Sequence, residues 1–157
     1  MHLRHLDVGP TRPDAPGDAL PLLVIPGHTA RIEGFLPMVP ALAADRRVLV
    51  LDCPGSGESD KPDRTYDLRF YEDVLVAYLD HLGIGQAIPV GGSLGGNLVL
   101  RLGHRFPERF PRLVLWAPGS AWEAKPVAAW ITRHVLGSRL LRSAMFWPVV
   151  RIQSRFW

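Results

Sequence analysis

The chain has 157 residues, of which 47% are hydrophobic and 21% charged, with a formal net charge of +3. That is enough apolar material for one domain with a real core, an ordinary globular charge content, and too little net charge to imply a nucleic-acid partner. Cys53 is the only cysteine, so no internal disulfide can form.

In chain order, His5 to Val8 forms a short candidate edge strand. A loop follows over residues 10–21, where Pro10, Pro13, Pro16, Gly17 and Pro21 remove donors and loosen the backbone. Leu22-Leu23-Val24-Ile25 is a short apolar run ended by Pro26-Gly27, the pattern of a buried strand feeding a loop. A helix is expected over Phe35 to Ala44, then a second strand at Arg47 to Leu51 ending at Asp52, with Pro54-Gly55-Ser56-Gly57 as the loop after it. The spacing of Tyr71, Val74, Leu75, Tyr78 and Leu82 predicts an amphipathic helix over Asp67 to Leu82, with Asp67 capping its start and Gly83 its end. A third strand is expected at Ala87 to Val90. The helix after it carries Leu94, Leu98 and Leu102 on one stripe and is limited by Pro107. A fourth strand is expected at Leu113 to Trp116. Strands alternating with helices over short connections predict an α/β fold with a parallel sheet covered on both faces.

The composition shifts after about Pro118. Trp122, Trp130, Phe146, Trp147, Phe156 and Trp157 are interleaved with Arg133, Arg139, Arg142, Arg151 and Arg155, and no strand pattern is evident there. The segment reads as helical, broken at Gly137 and Pro148. The expected division is therefore 1–118 as a sheet-based core and 119–157 as a helical segment. The residues Met1-His2-Leu3-Arg4-His5 lack the apolar centre of a signal peptide, and no stretch reaches the ~18 apolar residues of a spanning helix. The expectation is a cytoplasmic protein with no stable membrane insertion.

Gly91-Gly92-Ser93-Leu94-Gly95-Gly96 fits G-x-S-x-G. It falls directly after a predicted strand and directly before a predicted helix, the context that a nucleophile elbow requires. A turn that tight tolerates only small neighbours, which Gly91 and Gly95 supply, while Gly96 lets the helix approach the sheet. Ser93 would stand at the carboxyl edge of the sheet, where open α/β folds bind ligands, with helix N-terminal N–H groups aimed at any oxyanion formed there. The competing reading of the bare pattern is a chance glycine-rich turn; the strand and helix around it argue against that.

On these residues the chain resembles the α/β-hydrolase superfamily of serine esterases, lipases and C–C hydrolases. Leu23-Val24-Ile25-Pro26-Gly27-His28 resembles the family's strand and oxyanion loop, usually written with His-Gly. Asp52-Cys53-Pro54-Gly55-Ser56-Gly57-Glu58-Ser59-Asp60-Lys61-Pro62 resembles its D-x-P-G-x-G-x-S-x-x-P loop, and Phe106-Pro107-Glu108-Arg109 with Arg112-Leu113-Val114-Leu115 resembles its passage into a sixth strand. The likeness runs from about Leu22 to Pro118. Two departures stand out: Pro26 takes the place of the usual histidine, and Gly92 replaces the histidine common before the serine. The resemblance implies Ser93 as nucleophile and the backbone N–H groups of His28 and Leu94 as the oxyanion hole. It implies no cofactor. The aspartate-nucleophile relatives, such as epoxide hydrolases and haloalkane dehalogenases, are set aside by the serine.

A Ser–His–acid mechanism also needs a base and an orienting acid, which in this family follow the serine in the order acid, then histidine. The resemblance places both after later strands, beyond a helical cap, so the fold expected here is an incomplete hydrolase core, its later strands absent, with the start of that cap at 119–157. Glu123 follows the fourth predicted strand, where some relatives carry their acid; the alternative is a solvated cap residue. His28 and His134 remain open as bases, against an oxyanion-loop side chain and an ordinary cap residue. His104 lies eleven positions after Ser93 on one helix, ~16 Å along the axis and out of reach, and His81 reads as solvated. Asp52 reads as a brace for neighbouring loops rather than a catalytic group, Cys53 as a small buried hydrophobe, and Glu58, Asp60 and Asp63 as a solvated turn. No His, Cys, Asp or Glu cluster has metal-ligand spacing.

The expected activity is hydrolysis of a small ester or related carbonyl compound through an acyl-enzyme at Ser93, weak or absent in a chain this short. An acyltransferase would share every feature. The alternative is a non-catalytic hydrolase-like binding module. An open sheet edge after Val114, or the cap, could then be covered by a second copy in a homodimer.

Overall fold

The computed structural model of the protein describes residues 1–119. It contains a five-stranded sheet in the order β1-β3-β2-β4-β5. The strands are β1 (His5–Val8), β2 (Leu22–Ile25), β3 (Val48–Leu51), β4 (Ile88–Ser93) and β5 (Val114–Pro118). β2, β3, β4 and β5 run parallel, and β1 pairs antiparallel with β3 at one edge. The mainly parallel α/β sheet expected from the alternation is what the chain forms. The segment 119–157 assigned to a cap lies outside the described residues, apart from Gly119, as do Glu123 and His134.

Four consecutive apolar residues in β2 and in β3 are all buried, because the sheet is covered on both faces. Register sorts them: Leu23 pairs with Leu49, and Val24 with Val50. Leu23, Ile25, Leu49 and Leu51 belong to a core with Leu75, Leu79, Leu98 and Leu102 of the two long helices. Leu22, Val24, Val48, Val50, Ile88 and Val90 form a second core with Ile32, Val39 and Ala43. Each fully buried Leu or Val contributes roughly 1.5–3 kcal/mol, so these two layers hold the frame that carries the loops.

Helix α1 is shorter than its sequence suggested. It spans only Val39–Leu42, preceded by a 3-10 turn at Ile32–Gly34. Pro40 sits in its first turn, and Pro37 ahead of it biases Leu36 away from helical geometry, so the run from Phe35 cannot close its ladder. The longer helix α2 (Leu68–His81) follows expectation: the Asp67 carboxylate accepts from Phe70 N at 2.8 Å, and Gly83 adopts φ +68° past its end. Helix α3 (Leu94–Arg105) begins directly at the end of β4 and stops ahead of Pro107. β4 extends three residues beyond Val90, because the glycines of the elbow remain paired to β2 and β5 before the chain turns. β5 likewise begins at Val114 and runs on to Pro118.

Candidate active site

Ser93 is the junction of β4 and α3. It adopts φ 54° and ψ −120°, a backbone state that a residue bearing a Cβ rarely takes. It is exposed, while Gly91, Gly92, Gly95 and Gly96 on either side are buried. Although Ser93 occupies the N-cap position of α3, its hydroxyl makes no cap hydrogen bond, so its Oγ is not spent on the helix. Among the described residues no side chain hydrogen-bonds this oxygen.

The glycines are steric requirements of this bend. A Cβ on Gly95 would lie 2.1 Å from the Ile25 carbonyl oxygen, and one on Gly91 would lie 2.6 Å from the Gly95 carbonyl carbon. Both contacts are with backbone, which cannot swing aside. A Cβ on Gly96 would meet Pro118 at 3.1 Å, in keeping with its role in bringing α3 close to the sheet. Leu94 is the first residue of α3, so its N–H belongs to the helix start, whose donors have no intrahelical acceptor.

On the β2 side, the loop after Ile25 reaches the nucleophile. A Cβ on Gly27 would lie 3.4 Å from Ser93 Cβ and 3.9 Å from Ser93 Oγ. His28, next along, is exposed in a turn, and Thr29 has φ 63°. On the β5 side, Trp116 pairs in register with Gly92 and Pro118 with Ser93, with an irregularity between Gly92 and Ser93. A Cβ on Gly92 would fall 2.3 Å from Trp116 Nε1. Glycine is therefore found before the serine because the indole already fills the space a side chain would need. In the sequence Trp116 is legible only as a strand residue; the signal for more is a glycine before the serine together with a tryptophan on the next strand.

Asp52 braces the loops around the site, as its position suggested. It is fully buried, and its carboxylate accepts from Ile32 N at 2.9 Å and from Glu58 N at 3.0 Å. Arg4 Nη1 adds a contact at 3.4 Å, and Ser59 Oγ donates to the Asp52 carbonyl oxygen at 2.7 Å. The loop after β2 and the loop after β3 are thus held by one carboxylate. Gly57, at φ 53°, must lack a side chain because a Cβ there would fall 1.9 Å from Asp52 Oδ2. Cys53 is buried, and burial, reinforced by the Asp52 charge, pushes its thiol up to about 12, so it is no nucleophile at neutral pH. His81 and His104 are exposed, as are Glu58, Asp60 and Asp63.

A family model for the alpha/beta hydrolase fold matches residues 21–137. The chain belongs to the α/β-hydrolase family. A 2-hydroxymuconate semialdehyde hydrolase of Pseudomonas sp. (strain CF600) is 43% identical over 116 residues, covering 71% of this chain and 40% of that relative. The dihydrolipoyllysine-residue acetyltransferase component of an acetoin cleaving system of Pseudomonas putida is 39% identical over 104 residues, covering 66% of this chain and 28% of the other. Among solved structures, a probable hydrolytic enzyme from Pseudomonas aeruginosa PAO1 matches with a TM-score of 0.67 at 30% identity, over 74% of this chain and 36% of that one. The chain spans less than half the length of each of these relatives.

Within this hydrolase fold, no group of three or more His, Cys, Asp or Glu among the described residues is arranged to hold a metal ion. No helix among them is long and apolar enough to cross a membrane. Behind the site, α2 and α3 are tied by a fully buried carboxylate, Glu72, which accepts from Arg101 and Arg105. Burial pushes this carboxyl up, but the two guanidinium bonds outweigh it and hold it below the usual carboxylate range. Reading the sequence missed this clamp, because the carboxylate lies 29 and 33 residues from its partners.

Proposed function

We propose that Ser93 is the nucleophile of an ester or related carbonyl hydrolase. The observation that carries this reading is the strained, exposed serine whose hydroxyl caps nothing, set between buried glycines and beside the Gly27 loop. In the reaction, Ser93 Oγ bonds the acyl carbon while its proton passes to a general base. The carbonyl oxygen, now negative, takes hydrogen bonds from the Leu94 and His28 N–H groups, and the alcohol departs with the proton. Water then attacks the acyl-enzyme, releases the acid and restores the serine. The base and the orienting acid are assigned to no described residue. The substrate class is a small, fairly apolar ester or carbonyl compound. The semialdehyde hydrolase among the relatives supports water as the acceptor, and the acetyltransferase relative supports an acyl carrier in its place. The reading is tested with p-nitrophenyl esters of short acids. Release of p-nitrophenol that disappears in Ser93→Ala is the expected result, and equal release by both proteins overturns it.

A second reading has its own observation. β5 is an edge strand of the described sheet, and Val114 and Trp116 on it are about half exposed. A non-catalytic hydrolase-like module would use that edge to pair with a second copy of the chain. Light scattering decides: a dimer that a charged substitution at Val114 converts to monomer supports it, and a monomer throughout rejects it.

A further inference from the structure

Ser93 has two unlike neighbours in the sheet. On the β2 side stands Gly27, in the loop after the strand, where a Cβ, were there one, would be in ordinary van der Waals contact with Ser93 Cβ. On the β5 side stands the largest side chain available. Trp116 pairs with Gly92, the residue immediately before the nucleophile, and the edge of its indole lies where a Gly92 side chain would otherwise be: Nε1, Cε2 and Cζ2 fall 2.3, 2.4 and 2.8 Å from that Cβ position. Gly92 is buried, yet Trp116 keeps 48% of its surface exposed. One side of the ring therefore seals the elbow backbone and the rest borders open space. The strand bends here as well, with Ala117 at φ 40° and a register shift between Gly92 and Ser93. That bend carries the chain from the indole to Pro118, which packs against Gly96 and pairs with Ser93.

An indole is a rigid apolar plate, and burying it takes roughly 150–250 Å² out of water. Held by only two torsions, it is ordered cheaply. Such a plate one residue from a nucleophile offers a surface for the group attached to the carbon under attack. We propose that Trp116 is the specificity-determining wall on the β5 side of Ser93, packing against the acyl part of the substrate, and that Gly92 is glycine so that this ring can stand there. The proposal rests on Ser93 being the nucleophile and deepens that reading: it selects extended or flat acyl groups, which can lie along the ring, over compact branched ones.

The test measures rates of covalent labelling by two alkyl fluorophosphonates, one with an ethyl and one with a decyl chain. In each, Ser93 Oγ bonds phosphorus, fluoride leaves, and the serine proton passes to the base. The wall predicts that Trp116→Ala lowers the decyl-to-ethyl rate ratio about tenfold, while Trp116→Phe, which keeps a ring, holds it within about threefold of wild type. Gly92→Ala pushes the indole aside and lowers the ratio in the same direction. Adding Gly92→Ala to Trp116→Ala then changes nothing further, because the ring is already gone. Trp116→Leu replaces the alanine variant if the latter does not fold. A filler that only supports the elbow would slow both probes equally, so an unchanged ratio in Trp116→Ala or Trp116→Leu overturns the wall while leaving the nucleophile in place. Wild-type protein that folds but shows no labelling dependent on Ser93 overturns the nucleophile and the wall with it.

Discussion

The two ends of helix α3 are built by opposite means. At its N-terminus the chain removes side chains: Gly91, Gly95 and Gly96 let β4, β2, β5 and the helix approach through their backbones, and Gly92 makes room for the Trp116 indole, leaving Ser93 exposed. At its C-terminal half the chain adds charge: Arg101 and Arg105 reach across to Glu72, fully buried on α2. At Gly91 and Gly95 this first end tolerates no added atom, because the neighbours are backbone atoms of Gly95 and of Ile25. The second relies on side chains that can move, two of which touch water. Strain is thus stored where chemistry is proposed, and the opposing clamp anchors the element that carries it.

This contrast is broken most severely at the glycine end. Gly95→Ala puts a Cβ 2.1 Å from the Ile25 carbonyl oxygen, so β2 and α3 must separate. The expected loss exceeds about 4 kcal/mol, seen in urea titration as a chain with no cooperative transition. Asp52→Ala comes next. It takes the acceptor from two N–H donors on different loops, that of Ile32, which is buried, and that of Glu58, which is half-buried. At about 1–3 kcal/mol for each unsatisfied group, the expected cost is about 3 kcal/mol. The same variant should raise proteolytic cleavage in the loop after β2, which limited proteolysis reads directly.

Glu72→Ala tests the charged end. Breaking a buried pair costs about 3–5 kcal/mol, and the low end is expected because both arginines keep access to water. Glu72 has a folded pKa below its ordinary value of 4.5, so its contribution is present above that value and is lost as pH falls through the lowered one. The stability gap between wild type and Glu72→Ala is therefore wide at pH 7 and closes in acid, as denaturation at a series of pH values will show. The smallest effect is at the nucleophile itself. Ser93→Gly relieves a positive φ, so it should be about 1 kcal/mol more stable than Ser93→Ala, which keeps a Cβ there, while both lack the hydroxyl.

Strands β1 and β2 were legible because short apolar or alternating runs are bounded by prolines and glycines. α2 was legible because Tyr71, Val74, Leu75 and Tyr78 repeat on one face, and all are buried. α1 is shorter than its apolar run suggests, because the sterics of Pro37 and Pro40 prevail over the run in the molecule. The end of β4 is not legible because Gly91 and Gly92 look like a turn, whereas pairing of Gly91 with Ile25 and Leu115 and of Gly92 with Trp116 keeps them in the strand. The elbow was visible as a local pattern. Its surroundings were not: the Trp116 indole over Gly92 and the Glu72 clamp depend on register and packing between residues far apart in sequence. Asp52 was half visible, because a carboxylate closing a strand suggests a brace, yet its partner Ile32 lies 20 residues earlier.

The central claim is that the bend at the end of β4 presents a reactive hydroxyl. Its most direct test is to treat the folded protein with a fluorophosphonate and locate the adduct by peptide mass spectrometry. The account predicts one phosphonylated residue, Ser93, absent from the Ser93→Ala protein. A folded sample that carries no adduct, or carries it on another residue, contradicts it.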